Sequence, residues 1–116
     1  MNALDLPIQE VAIKIDNEDL GVLLSALNLW GQNFKADNVE ARMKVFSLRK
    51  LRQKLEIRQS QTKGSTKEFK LRIEPIQAYG MMNLLSLIST QLPKNSYEAN
   101  VCLKFRDDFH KKLLTI

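Results

Sequence analysis

The run Asn38-Val-Glu-Ala-Arg-Met-Lys-Val-Phe-Ser-Leu-Arg-Lys-Leu-Arg-Gln-Lys-Leu-Glu-Ile-Arg58 joins the two halves of the chain and decides how the chain is divided. It contains neither Gly nor Pro, and most residues after Ala41 have high helix propensity. We therefore predict one long helix from Asp37 to about Lys63. Asp37 and Glu40 are placed as the N-cap and N3 residues of a capping box at its start.

This long helix is apolar on two sides. At about 100 degrees per residue, the predicted core side comprises Ala41, Val45, Leu48, Leu51 and Leu55. The opposite side comprises Val39, Met43, Phe46 and Ile57, flanked by Arg42, Arg49 and Lys50. A helix with this pattern is either sandwiched between other elements or presents one face to a partner.

A strand and an amphipathic helix are predicted before the long helix. Val11, Ile13 and Ile15 alternate with other residues, a period of two that indicates a half-buried strand. Asp16 or Asn17 can cap the helix that follows. The apolar stripe of that helix comprises Leu20, Leu23, Leu24, Leu27, Trp30 and Phe34.

The same pattern returns 58 residues later without a gap. The strand residues fall on Phe69, Leu71 and Ile73, and the helical stripe falls on Ala78, Met81, Met82, Leu85, Ile88 and Leu92. Asp37 and Glu40 fall on Asn95 and Glu98, which predicts a second capping box. Any two βαα segments would align loosely, but here strand, cap and stripe agree at one ungapped offset.

We predict an α+β fold that is mostly helical, with the element order βααβαα and pseudo-twofold symmetry. A two-stranded antiparallel ribbon is packed by four helices, because such a ribbon is marginal in water by itself. Residues 1–116 form a single domain of two βαα repeats, about 9–58 and 67–116, joined by a polar loop over 59–66. The free ribbon edges make a homodimer an additional expectation.

Composition indicates a folded protein. Of the 116 residues, 44% are hydrophobic and 27% are charged, which is close to the globular average. The single Cys102 excludes an internal disulfide and a cysteine cluster for zinc. The first residues lack the basic start of a signal peptide, and no apolar run approaches a membrane span. We expect a cytoplasmic protein with no membrane partner.

No residue pattern indicates catalysis. His110 is the single histidine and lies among lysines, and Asp107 and Asp108 diverge on a helix rather than forming an acid–base pair. Cys102 falls on an apolar side, where a thiol behaves as a small hydrophobe. The four glycines are too far apart to build a phosphate-binding loop. We expect a non-enzymatic protein with no cofactor, no metal and no small-molecule substrate.

Charge is unevenly distributed along the chain. From Arg42 to Arg72 there are eleven Lys and Arg against two Glu, a net charge of +9. The whole chain carries +5, so the remaining residues sum to −4. This asymmetry favours an anionic partner, and nucleic acid is the commonest one. We expect the basic long helix to contact nucleic acid or a nucleic-acid-associated complex. The predicted phosphate-contacting residues are Arg42, Arg49, Lys50, Arg52, Lys54 and Arg58.

Two alternatives remain open at the level of sequence. A basic helix also serves solubility alone, with no bound ligand. Alternatively, the protein is a homodimeric adaptor or regulator that uses the face around Met43, Phe46 and Arg49, with Val39 as a further interface residue. Arg combined with Phe and Met is the composition of protein interfaces.

Overall fold

The computed structural model describes residues 9–33 and 37–116, with the backbone alone for residues 31–33. Within these ranges the chain has the predicted α+β class, mostly helical with a two-stranded antiparallel sheet. The elements are β1 (Val11–Ile15), α1 (Asn17–Asn33), α2 (Val39–Gln61), β2 (Phe69–Ile73), α3 (Pro75–Gln91) and α4 (Tyr97–Leu114). Among the residues described, no helix has the length and apolarity needed to cross a membrane.

The sheet has one buried face and one exposed face. β1 and β2 pair in the register Val11↔Ile73, Ala12↔Arg72, Ile13↔Leu71, Lys14↔Lys70 and Ile15↔Phe69. Because successive side chains alternate between faces, the apolar residues of both strands share the inner side. The outer side carries Ala12, Lys14, Lys70 and Arg72. The alternation predicted for both strands is confirmed.

The inner face of the sheet and the four helices enclose one contiguous hydrophobic core. α1 contributes the predicted Leu20, Leu23, Leu24 and Leu27, and α3 contributes Ala78, Met81, Leu85 and Ile88, while α4 contributes Phe105 and Phe109. Phe34, the last residue of the predicted α1 stripe, lies outside the described residues. The helix stripes therefore bury the faces that their periodicity indicates.

Helix α2 joins the core through part of its length. Leu48, Leu51 and Leu55 are buried, as the helical periodicity predicts, whereas Ala41 and Val45 are half-buried. Every buried residue of α2 thus lies from Leu48 onward, and its first turns are more exposed.

Asp16 caps α1 as predicted, accepting the Asp19 backbone N–H at 2.8 Å, but the predicted N-caps of α2 and α4 were wrong by one residue. Asn38, not Asp37, caps α2, and its side-chain oxygen accepts the Ala41 backbone N–H at 2.7 Å. Ser96, not Asn95, caps α4 and accepts the Ala99 N–H at 3.2 Å. Asn95 has φ of 65°, so its backbone turns the chain rather than starting the helix. At the starts of α2 and α4 two adjacent residues can cap, and the backbone conformation selects the second.

The predicted polar loop over 59–66 begins too early, because α2 continues to Gln61. The side-chain amide of Asn17, at the start of α1, donates to the Gln59 backbone carbonyl oxygen at 3.0 Å and to the Thr62 hydroxyl at 2.9 Å. These bonds satisfy groups at the helix end that a free C-terminus would leave to water. Gly64, with φ of 83°, follows in the left-handed conformation expected near a helix stop.

Each element of the second half begins 58 residues after its counterpart in the first half. β1 and β2 begin at 11 and 69, α1 and α3 at 17 and 75, and α2 and α4 at 39 and 97. The caps Asn38 and Ser96 keep the same spacing. This offset is the one at which the two halves of the sequence align.

Candidate nucleic-acid interface

The outer face of the sheet is positively charged and exposed. Lys14 and Lys70 stand directly opposite each other in the antiparallel register, and Arg72 lies two residues along β2 on the same face. Like charges that face each other across two strands reduce sheet stability. The opposed lysines therefore destabilise the sheet, and a bound anion would reduce the repulsion between them.

A groove runs between this face and helix α2. It has a volume of about 310 Å³ and is lined by Lys54, Ile57, Arg58, Gln61, Lys70, Leu71 and Arg72. We call it the α2 groove. The Lys54 ammonium donates to the Arg72 backbone carbonyl, and the Arg58 guanidinium lies 4.6 Å from the centre of the Phe69 ring. These contacts position two of the four cations, and the lining contains no carboxylate.

A second groove lies between the sheet and helix α4. It has a volume of about 390 Å³ and is lined by Ala12, Ile13, Lys14, Glu68, Lys70, Lys104, Asp108, Lys111 and Lys112. We call it the α4 groove. It holds five lysines and two carboxylates.

The two grooves share Lys70 and form one continuous basic surface across the sheet. Four cations line the α2 groove and five line the α4 groove, so the basic surface carries eight cations against two carboxylates. A concentration of one charge sign in grooves raises the local potential and attracts anions. The basic surface is thus suited to a ligand with several negative charges.

The six residues predicted to contact phosphate lie in different surroundings. Lys54 and Arg58 line the α2 groove. Arg42, Arg49 and Lys50 are exposed on α2 outside the groove lining, and Lys50 lies 5.5 Å from the centre of the Phe46 ring. Arg52 forms an i,i+4 ion pair with Glu56 at 3.3 Å. At about 100 degrees per residue, Arg52 and Lys54 are on nearly opposite sides of the helix.

Sequence reasoning missed the lysines outside the central stretch. Lys14 on β1 belongs to residues 1–41, which sum to −5, whereas Lys104, Lys111 and Lys112 on α4 belong to residues 73–116, which sum to only +1. The fold brings them beside the α2 and β2 cations. The 58-residue offset contained a signal for two of them, because Lys14 aligns with Arg72 and Lys112 aligns with Lys54.

The predicted protein-interface residues are exposed. Val39 is 77% accessible, and Met43 and Phe46 are each 58% accessible. Their counterparts on α4 include Val101 in place of Met43, and Val101 is buried. The counterparts of Val39 and Phe46 are Tyr97 and Lys104, and both are exposed. The first turns of α2 therefore present apolar side chains to solvent, and α4 buries its residue at one of the three corresponding positions.

The remaining reactive groups do not assemble into a site. Cys102 is buried, and burial raises the pKa of its thiol, with a further contribution from Glu98. His110 is exposed, as the sequence indicates. Within residues 9–33 and 37–116, no group of three or more His, Cys, Asp or Glu could hold a metal ion.

A third groove, of about 520 Å³, lies along α1 and α4 and is largely apolar, with Glu18 and Glu98 among its lining residues. Tyr97 also lines it, and its hydroxyl donates to the Asp19 carboxylate, which raises the pKa of Tyr97. The lining of this groove contains two carboxylates and no lysine or arginine, so its charge is opposite to that of the two grooves at the sheet. The sequence matches no protein-family model, and it is not similar enough to any curated protein or solved structure to match one.

Proposed function

We propose that this protein is a non-enzymatic, intracellular binding protein that holds nucleic acid by its phosphate backbone on the basic surface. The observation that carries the proposal is the eight-cation surface centred on the opposed pair Lys14 and Lys70. The lysine ammonium is a compact charge that donates hydrogen bonds to phosphate oxygens in many orientations. Phosphate contacts position a protein on nucleic acid without reading its sequence.

The other predicted cations of α2 lie outside the linings of the two grooves. Arg42, Arg49, Lys50 and Arg52 are exposed along the helix that forms one wall of the α2 groove. Long side chains of this kind add attraction at distances up to the Debye length. In the proposal, Lys54 and Arg58 make close contacts, and these four residues contribute attraction along the helix.

We further propose that the fold is a duplicated βαα unit with pseudo-twofold symmetry. Equal element spacing supports this, since strands, helices and caps all recur at 58 residues. The two grooves support it as well. Positions 12, 13, 14 and 112 of the α4 groove correspond at that offset to positions 70, 71, 72 and 54 of the α2 groove.

Charge reversal at the centre of the basic surface tests the proposed function. We expect Lys70→Glu to lower affinity for a mixed-sequence DNA or RNA at low salt, because Lys70 lines both grooves. The same change removes the repulsion with Lys14 and should leave thermal stability equal or higher. Fluorescence anisotropy measures the affinity, and thermal unfolding followed by circular dichroism measures the stability.

Lys94→Glu is the matched control. Lys94 is exposed and belongs to neither groove lining, and the substitution changes the net charge by the same amount. If both variants weaken binding equally, net charge rather than the basic surface governs affinity, and the proposed site is wrong.

A second candidate function is protein binding or homodimer formation. Val39, Met43 and Phe46 on α2 support it, together with helix α3, which contains no charged residue yet exposes Ile76, Tyr79 and Leu87. Exposed apolar side chains grouped on helix faces indicate interaction surfaces. This candidate uses other faces of the molecule than the basic surface and is compatible with nucleic-acid binding.

A further inference from the structure

We infer that the ligand of the basic surface is a nucleic-acid duplex, with each groove contacting one of its two strands. This inference rests on the proposed function and specifies the form of the nucleic acid. Two observations carry it, the absence of a stacking surface and the correspondence of the two grooves.

The first observation concerns aromatic side chains. Proteins that hold single strands combine a basic groove with exposed aromatic rings on which the bases stack. Among the described residues that line the α2 and α4 grooves, none is Phe, Tyr or Trp. Phe69, the aromatic residue of β2, is half-buried, and the Arg58 guanidinium lies over its ring. The basic surface thus offers charge to phosphates and no platform to unpaired bases.

The second observation concerns symmetry. Lys14 and Arg72 correspond at the 58-residue offset, and so do Lys112 and Lys54. Antiparallel pairing of β1 with β2 places Lys14 and Arg72 on opposite sides of the paired residues Ile13 and Leu71. Lys112 and Lys54 line different grooves. A duplex has twofold axes between its strands, and dimeric DNA-binding proteins match such an axis with their own. A single strand has no such axis.

The grooves are also close to equal in charge. Apart from the shared Lys70, the α2 groove holds three cations and no carboxylate, a net charge of +3. The α4 groove holds four cations and two carboxylates, a net charge of +2. Two grooves of similar charge fit the two phosphate backbones of a duplex better than they fit the one backbone of a single strand.

Binding to matched probes tests the inference. The probes are a mixed-sequence DNA duplex, the corresponding RNA duplex, and each separated strand, compared by anisotropy at roughly 50 mM salt. We expect a duplex of at least one type to bind about tenfold or more tightly than its own strands, because its charge density is higher. Single strands that bind equally or more tightly would overturn the duplex inference and leave the proposed function standing. No binding to any probe would overturn the proposed function itself.

Paired substitutions test whether both grooves contact phosphates. Lys54→Gln and Lys112→Gln each remove one charge at corresponding positions of the two grooves. Each should reduce the slope of log affinity against log salt by about 0.9, and the double variant by about 1.8. A slope that responds to one substitution and not to the other contradicts binding through both grooves.

Lys54 also bonds to the Arg72 carbonyl, so its substitution is checked by thermal unfolding. Lys14→Gln and Arg72→Gln provide a second corresponding pair on the exposed sheet face. If Lys54→Gln unfolds the protein, this second pair gives the same comparison, with the same expected slopes.

Discussion

Two helical glycines differ in the space around them. A Cβ atom added at Gly21 would lie 3.5 Å from the Gln59 side-chain nitrogen, an ordinary contact. A Cβ atom added at Gly80 would lie 3.1 Å from Cδ2 and 3.4 Å from Cγ of the buried Leu48. Gly80 therefore allows close approach of α3 to α2.

This difference gives a matched prediction for stability. Gly21→Ala should stabilise the protein by about 0.5–1 kcal/mol, because alanine restricts the unfolded chain and suits a helix. Gly80→Ala should stabilise the protein less than Gly21→Ala does, or should destabilise it, because Leu48 must move to accommodate the methyl group. Chemical denaturation of both variants measures the difference, and equal stabilisation would contradict the close contact.

Cys102 gives a prediction for reactivity. The side chain is 1% exposed, and desolvation by burial raises the pKa of its thiol, with Glu98 adding to the effect. Since the thiolate is the reactive form, the native protein should react with a thiol reagent near neutral pH far more slowly than the unfolded protein does. A native rate close to the denatured rate would show that Cys102 is accessible.

Helix α2 illustrates what can be predicted for an element. Its existence and its buried residues Leu48, Leu51 and Leu55 follow from propensity and periodicity, and both were predicted. Its ends were harder to predict, because Asp37 and Asn38 are both competent caps and the Asn17 amide supports the last turn through Gln59. Local sequence carries no information about a contact from α1.

The exposed side of α2 gives the prediction for self-association. If the second candidate function holds, the wild-type protein forms a concentration-dependent larger species in light scattering, and Phe46→Glu shifts it to monomer by placing a charge among apolar residues. Asn100→Glu, at an exposed position of helix α4, is the control and should leave the size unchanged. A monomeric wild type that Phe46→Glu does not alter removes the homodimer proposal.

At the scale of the whole molecule, the fold class followed from the sequence and the full charged surface did not. The class depends on local periodicities that each segment displays by itself. The basic surface depends on bringing together Lys14, Lys70 and Lys112, which are far apart in the sequence. Summing charge along the chain identified the α2 side and assigned the remaining segments a net negative charge. Strand pairing places Lys14 beside the central stretch, and the packing of α4 against β1 does the same for Lys112.

The salt dependence of nucleic-acid binding tests the central claim most directly. About five phosphate contacts give a slope near −4.5 in log affinity against log salt, so raising salt from roughly 50 to 200 mM should weaken duplex binding several hundredfold. An apolar interface would scarcely respond over this range, since it releases few counterions. Affinity that falls along this slope for the wild-type protein is the predicted result. No binding at the lower salt concentration, or binding that salt does not weaken, would contradict the account.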